Sequence, residues 1–172
     1  MATVELTQGQ FAVVDDADLP LVDGYSWCAT SKTKRGKACW YATTGVQVGG
    51  GRQTTCFMHR LILGLQPGDP QVDHRDGDGL NNQRNNLRLA TNSQNQANSN
   101  GSPSRRKSRY KGVYWNRDSR YRAGGRWRAE IKVNGRKMAR IARTEIDAAR
   151  IYNELAIRHF GEFARLNDTQ GG

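Results

Sequence analysis

The chain is poor in the residues that staple or anchor small proteins. It has three cysteines, Cys28, Cys39 and Cys56, an odd number with no Cys-x-x-Cys spacing. That excludes a disulfide framework and predicts buried free thiols in a reducing compartment. With only three histidines beside them, no structural zinc is expected. No run of 18 apolar residues occurs, so no segment reads as a membrane span. The opening Met-Ala-Thr-Val-Glu-Leu lacks a basic n-region and an apolar h-region. No secretory leader is expected, and the expected location is the cytoplasm of a bacterial or phage-infected cell. No internal repeat or heptad pattern is present. Apolar residues make up 36% of the 172, which predicts thin cores, in one ordinary domain or two small ones.

Positive charge is abundant. The formal net charge is +11, and its distribution says more than its size. The first hundred residues carry nine basic and nine acidic side chains. Residues 101–172 carry eighteen basic and seven acidic ones, so the whole excess lies there. The basic residues alternate with aromatics instead of running in a block. This asymmetry predicts a polyanion-binding module joined to a neutral one, with no membrane as partner.

Residues 3–15 read as a short hairpin around Gln8-Gly9-Gln10, and residues 16–24 as one or two helical turns limited by Pro20. Trp27–Thr30 and Ala38–Thr43 read as strands around a basic loop, Ser31–Lys37, with a further strand over Thr54–Met58 and a short helix from His59 to Gly64. Gln71-Val72-Asp73 is a short strand. Residues 75–86 are nearly all Asp, Asn, Gly, Arg and Gln, a turn-dense loop. Leu87–Ala90 returns as a strand, and Thr91 or Asn92 caps a helix through about Ala97. The polar, basic stretch 98–107 is the expected linker.

Beyond it, Lys111–Trp115 is a strand candidate. Arg126–Val133 alternates, with Trp127, Ala129, Ile131 and Val133 on one face and Arg126, Arg128, Glu130 and Lys132 on the other. Asn134-Gly135 is a hairpin signal. A strict two-residue turn pairs Val133 with Arg136 and puts Arg136, Met138 and Arg140 on the apolar side; a bulge or a wider turn would repair that. Thr144 caps a helix over about 145–160 that stops at Gly161. The second module is therefore expected to be a three-stranded antiparallel sheet with one helix on its apolar face.

The chemistry concentrates in residues 72–95. Asp73 and His74 are adjacent, Asn86 follows in Asn-Leu-Arg, and Asn95 in Ser-Gln-Asn-Gln. A carboxylate, an imidazole and two amides suit an oxygen-ligated divalent ion beside a general base. Asp73 is a hard anionic ligand. On extended chain His74 points away from it, free to face a water. Asn86 can hold the loop closed and bond His74 or its backbone.

These residues resemble the HNH nucleases and their ββα-metal motif, in particular the phage and intron-type endonucleases in which the last histidine is asparagine. The resemblance implies Asp73 and Asn95 on one divalent ion, Mg²⁺ with Mn²⁺ also supporting activity. It implies His74 as general base and Asn86 as the residue that orients it. His59-Arg60-Leu61 also resembles a run that precedes the motif; Arg60 reads as a phosphate contact or, with His59, as packing.

Tyr110-Lys-Gly-Val, Arg126-Trp-Arg-Ala-Glu-Ile-Lys, Thr144-Glu-Ile-Asp-Ala-Ala-Arg-Ile-Tyr-Asn and Gly161–Asn167 resemble an AP2 (ERF-type) DNA-binding domain. In that family the sheet lies in the major groove, a fit open to β-ribbons, where arginine commonly reads guanine. The resemblance places Lys111, Tyr114, Arg126, Trp127, Arg128, Glu130, Lys132, Arg136, Met138 and Arg140 at or beside contact positions; Trp127 reads equally as core. Lys111, Tyr114 and Met138 replace family arginines, so the recognised sequence should differ.

The fold expected is α+β: an HNH domain at 1–97 with core motif 70–97, a linker at 98–107 and an AP2-like domain at 108–167. The expected activity is metal-dependent endonucleolytic hydrolysis of double-stranded DNA at preferred sites, of homing or phage type. The alternatives are a non-catalytic DNA-binding regulator with a vestigial nuclease fold and a restriction-type nuclease. No obligate protein partner is evident, and a monomer or weak dimer is expected.

Overall fold

The computed structural model describes residues 1–34, 37–99, 108–118, 120 and 124–170. Among the described residues the architecture is mixed α+β, with four small antiparallel sheets and few helices. It divides into two compact units, 1–90 and 91–172. Of the expected linker, residues 100–107 lie outside the described residues.

The first unit opens with a hairpin, β1 (Ala2–Glu5) and β2 (Phe11–Val14). A 3-10 turn at Asp16–Asp18 leads into α1 (Leu19–Val22), where Pro20 occupies the first turn, the place its missing N–H is tolerated. A three-stranded meander follows: β3 (Cys28–Lys34), β4 (Lys37–Val48) and β5 (Arg52–Phe57). The expected basic loop at Ser31–Lys37 is shorter than the sequence suggests, because both strands continue into it. The cysteines are free, as expected, but not buried: Cys28 is exposed, and Cys39 and Cys56 are partly so.

Helix α2 (Met58–Ile62) precedes a second hairpin, β6 (Gln71–His74) and β7 (Leu87–Ala90), paired Asp73 to Arg88 and His74 to Leu87. The core gathers Val14, Val22, Trp27, Met58, Ile62 and Leu80, and the Trp27 indole donates to Val22 O at 2.9 Å.

The second unit begins with α3 (Asn92–Asn98). Its N-terminus is closed by a capping box: Thr91 accepts from Gln94 N, and Gln94 reaches back to Thr91 N. Then come β8 (Val113–Arg117), β9 (Gly125–Val133) and β10 (Arg136–Ala142), with β9 central. Helix α4 (Glu145–Phe160), capped by Thr144 and ended at Gly161, buries Ala148, Tyr152 and Leu155 in a core shared with Val113, Ala129 and Ile131.

The β9–β10 hairpin contains no bulge. Val133 pairs directly with Arg136, and Asn134 and Gly135 both have positive φ, 47° and 83°, as a tight I′-type turn requires. Arg136, Met138 and Arg140 therefore do share a face with Val133, Ile131 and Ala129. The strand accommodates them because it is an edge: every residue from Arg136 to Ile141 is exposed. Polar side chains on the inner side of an edge strand still reach water, and they blunt it against pairing with another chain.

Candidate active site

The turn-dense stretch 75–86, read from sequence as a loop, is a tightly fastened one. Its polar side chains bond inward. Asp76 Oδ1 accepts from Asp78 N at 2.8 Å and from Asn86 Nδ2 at 3.0 Å, and Asp76 Oδ2 accepts from Asn81 Nδ2 at 2.8 Å. Asn86 Oδ1 accepts from Asp76 N at 3.1 Å, and Asn86 Nδ2 also donates to Asn81 O at 2.8 Å. Asn86, itself buried, thus clasps the two ends of the loop. Burial pushes the Asp76 carboxyl up. Its hydrogen bonds with Asp78, Asn81 and Asn86 outweigh this, as does the nearby His74, and its pKa ends below the ordinary value.

The first unit grips the same loop from outside. Val13 N donates to Leu80 O at 2.9 Å and Asn82 N to Val13 O at 2.7 Å, a parallel bridge to the N-terminal hairpin. Asp15 accepts from Arg84 N at 2.9 Å and Gln83 Nε2 at 3.0 Å. The buried Asp18 takes a forked pair from the Arg84 guanidinium at 2.8–3.0 Å, while Arg84 also donates to Ile62 O at 2.8 Å. Gly79 lies so close to β4 that a Cβ there would sit 2.4 Å from Trp40 O and 2.7 Å from the Tyr41 ring. None of Val13, Asp15, Asp18 or Gly79 stands out in the sequence, since each lies far in the chain from what it touches.

His74 ends β6, 6% exposed. Its ring meets His59 edge-on at 5.0 Å and Tyr41 at 6.0 Å, and Phe57 stacks on His59 at 5.3 Å. His59 is therefore a packed wall of the His74 chamber, the structural role left open from sequence. Burial lowers the His74 pKa below its ordinary value. The neighbouring Asn82 amide and the charges of Asp76, Asp73 and Asp78 pull the other way. The balance favours a neutral imidazole at pH 7, the form that can accept a proton. Tyr41 beside it is raised above its ordinary pKa, by burial first and then by the charges of Cys39 and Asp73.

Asp73 is 3% exposed and pairs with Arg88 across the strands: Arg88 Nε donates to Asp73 Oδ2 at 2.8 Å and Nη2 lies at 2.7 Å. Register explains the pair, since directly opposed residues point to the same face; Arg88 is a site residue that sequence reading missed. Among the described residues, no three His, Cys, Asp or Glu side chains gather as a cage. A single carboxylate with neutral amide oxygens leaves most positions of a divalent ion to water and phosphate, as magnesium-type ions prefer. The donor set fits such an ion. Asn95, the second expected ligand, lies on α3 in the second unit, partly buried. Arg60 is fastened to its own neighbourhood, donating to Pro70 O at 3.1 Å and Gln66 O at 2.5 Å. That geometry matches the packing alternative rather than a free phosphate contact.

In the second unit the expected DNA-contact residues separate by face. Tyr114, Arg126, Arg128, Glu130 and Lys132 lie on the side away from α4, joined there by Lys137, which sequence reading missed. Glu130 organises them: it accepts from Tyr114 Oη at 2.6 Å and pairs with Lys137 at 3.1 Å and Arg128 at 3.2 Å. Burial raises the Glu130 pKa, but these partners outweigh it and leave it lowered. Trp127 is on the helix side, half-buried and edge-on to Trp115 at 5.4 Å. Arg136, Met138 and Arg140 share that side. Lys111 is off the sheet altogether. Its ammonium donates to Ala97 O and, at 2.6 Å, to Ser99 O at the end of α3, and burial lowers its pKa to about 8.

A family model described as HNH endonuclease matches residues 56–97. An uncharacterized HNH endonuclease of Acanthamoeba polyphaga mimivirus is 34% identical over 161 residues, covering 93% of this chain and 76% of the mimivirus protein. No solved structure matches the chain. Among the described residues, no helix is long and apolar enough to cross a membrane.

Proposed function

The chain belongs to the HNH endonuclease family, and from that membership we propose that it is a metal-dependent DNA endonuclease of the homing or phage type, hydrolysing phosphodiester bonds in duplex DNA. The observation that carries the reading is the buried His74, held next to Asp73 at the end of β6 and beside a loop that Asn86 and Asp76 bond together. In this reading the neutral His74 imidazole takes the proton of the attacking water. Asp73, held by Arg88, supplies the carboxylate oxygen and Asn95 the amide oxygen of a site for one divalent ion, Mg²⁺ or Mn²⁺. When bound, such an ion stabilises charge on the phosphate and the leaving oxygen. Asn86 acts by closing the loop that carries the His74 surroundings. The AP2-like unit would hold the duplex, with the helix-free face of β8–β10 presenting Arg126, Arg128, Lys132 and Lys137 to phosphates and base edges.

The test is plasmid cleavage with Mg²⁺ and with Mn²⁺, resolving nicked from linear product. Wild type should cut, and His74→Ala should lose about 10²–10⁴-fold in rate, the usual worth of a general base. Persistence of metal-dependent cutting in His74→Ala would remove His74 from the mechanism. DNA binding without cutting by wild type in either metal would establish the DNA-binding regulator instead.

A further inference from the structure

We propose that the β3–β5 meander of the first unit carries a second DNA-contacting surface. The face that packs Tyr41 and Phe57 against the His74 chamber continues outward as a seat for the duplex beside the scissile phosphate. The inference rests on the reading of His74 as the cutting centre, and gives the nuclease unit a grip on DNA of its own, separate from the β8–β10 sheet.

Charge is the first observation. The first hundred residues are neutral only on average. Their nine acidic side chains fall into two groups, five at 1–23 and four at 69–100. Residues 24–68 hold none, against six basic ones: Lys32, Lys34, Arg35, Lys37, Arg52 and Arg60. The meander, from Cys28 to Phe57, lies wholly inside that stretch. A sheet with no carboxylate of its own, bordering a site for a phosphodiester, has the sign of charge that duplex DNA requires.

Register is the second. Residues paired across antiparallel strands share a face, and alternate residues along a strand return to it. Tyr41 pairs with Thr30, and Thr43 pairs with Cys28 on one side and Phe57 on the other. Tyr41 and Phe57 therefore share a face, with ring centroids 6.0 Å apart. Both border the chamber: Tyr41 is 6.0 Å from His74, and Phe57 is 5.3 Å from His59. The next positions on this face are Gly45 with Thr55, then Gln47 with Gln53, and all four are exposed. Thr55 is about 7 Å and Gln53 about 14 Å along the strand from Phe57, a run of about four base pairs of duplex.

Shape is the third. Glycine weakens a strand interior, and often marks a place where a ligand or another backbone comes close. A Cβ on Gly45 would lie 2.4 Å from Gln53 Nε2 and 2.9 Å from Gln53 Cδ. The Gln53 side chain thus lies flat across Gly45 instead of standing up from the ribbon. The strip is low, uncharged and amide-bearing. Its amides can donate and accept, which suits both phosphate oxygens and base edges, and a two-stranded ribbon fits a major groove.

Charge insertion on one face at a time tests the assignment, in full-length protein, with duplex affinity measured without added metal so that cutting does not intervene. Gln53→Glu and Thr55→Glu set a carboxylate against phosphate and should each weaken binding about tenfold. Thr54→Glu adds the same charge one residue along, at an exposed position on the opposite face; screened from the duplex, it should stay within about twofold of wild type. Thr55→Lys should tighten binding, a change of sign that a folding defect cannot imitate.

Equal binding by wild type and every variant overturns the surface, as does an equal loss in Thr54→Glu and Thr55→Glu. So does a change of oligomeric state in Thr55→Glu, read by sedimentation, with duplex affinity intact, which would make the face a seat for a second copy of the chain. Wild type that binds duplex and never cuts would defeat the reading of His74 while leaving the comparison of faces standing. Wild type that cuts while all variants bind alike would defeat only the present inference.

Discussion

The loop at 75–86 and the helix-free face of the β8–β10 sheet are both polar, and they use polarity in opposite ways. The loop has irregular backbone, and its Asp and Asn side chains are consumed in holding that backbone still. The sheet has regular backbone whose own ladder fixes it, so Arg126, Arg128, Lys132 and Lys137 are carried on a frame that does not depend on them. A reacting group must be placed to within a fraction of an ångström, which irregular chain achieves only by such cross-bonding. A surface that grips phosphate works through the sum of its charges and tolerates side chains that move. Substitution should therefore be sharp in the loop and graded on the sheet.

The largest effect should come from the outer clamp of the loop. Asp18→Asn leaves Arg84 facing a neutral amide and breaks the fork at a 2% exposed position. Disrupting a buried pair costs about 3–5 kcal/mol. Arg84 is half exposed, which brings the expectation down to about 2–3 kcal/mol in chemical denaturation, with cleavage lost in proportion to the population that opens the loop. A change below about 0.5 kcal/mol would mean that the loop stands on its inner bonds alone.

Gly79→Ala comes next. A methyl group 2.4 Å from a backbone carbonyl forces either β4 or the loop to move, an overpacking cost of about 1–3 kcal/mol. Cleavage should fall by more than stability alone explains, because the displacement falls inside the loop that frames His74. Equal activity per folded molecule would argue that the loop tip is independent of the site.

On the sheet, Arg128→Ala or Lys132→Ala should each weaken duplex binding by about 1 kcal/mol and lower the slope of log affinity against log salt by about one. The effect should be nearly uniform across DNA sequences for a side chain that touches phosphate only. A flat salt dependence in wild type would remove the sheet as the DNA surface, and sharp sequence-selective loss at Lys132 would make it a base reader.

The smallest effect concerns Lys111. Burial holds its folded pKa near 8, below its value in an unfolded chain of about 10.4. Between those values the unfolded state binds more protons, so this group makes stability rise with pH above about 8. Below pH 8 the buried charge is a constant cost, offset by the carbonyls of Ala97 and Ser99. The melting temperature of Lys111→Met should therefore show a shallower rise than wild type between pH 8 and 9.5, and parallel curves would contradict the shift.

The regular parts of this fold were legible because local rules decide them. Thr144 with Asp147 and Gly161 marked α4, Thr91 or Asn92 marked the start of α3, and Asn134-Gly135 marked the turn. From sequence the register after that turn is open between the strict pairing and a bulge or wider turn; the strict pairing holds because β10 is an edge strand, where burial does not enforce alternation. Basic residues at 31–37 suggested a loop, yet β3 runs to Lys34 and β4 starts at Lys37. At the site, Asp73, His74 and Asn86 could be picked out by spacing. Asp18, Gly79 and Arg88 could not, because their importance comes from pairings made across the sheet or across the chain. Lys111, read as a surface contact, is an internal anchor, and no local pattern separates those roles.

The bonds from Asp15 and Asp18 to Gln83 and Arg84 link residues 66 to 69 positions apart. Loop closure over such a span is entropically costly and happens only once both ends exist. On the ribosome, the hairpin at 2–14 must therefore wait for residue 84 before the loop is framed. A segment cut to residues 56–97, the span matched by the HNH family model, would carry His74 and Asn86 without the partners that hold their loop. The smallest unit able to work is thus set by the order in which the chain is completed, and it begins near the first residue.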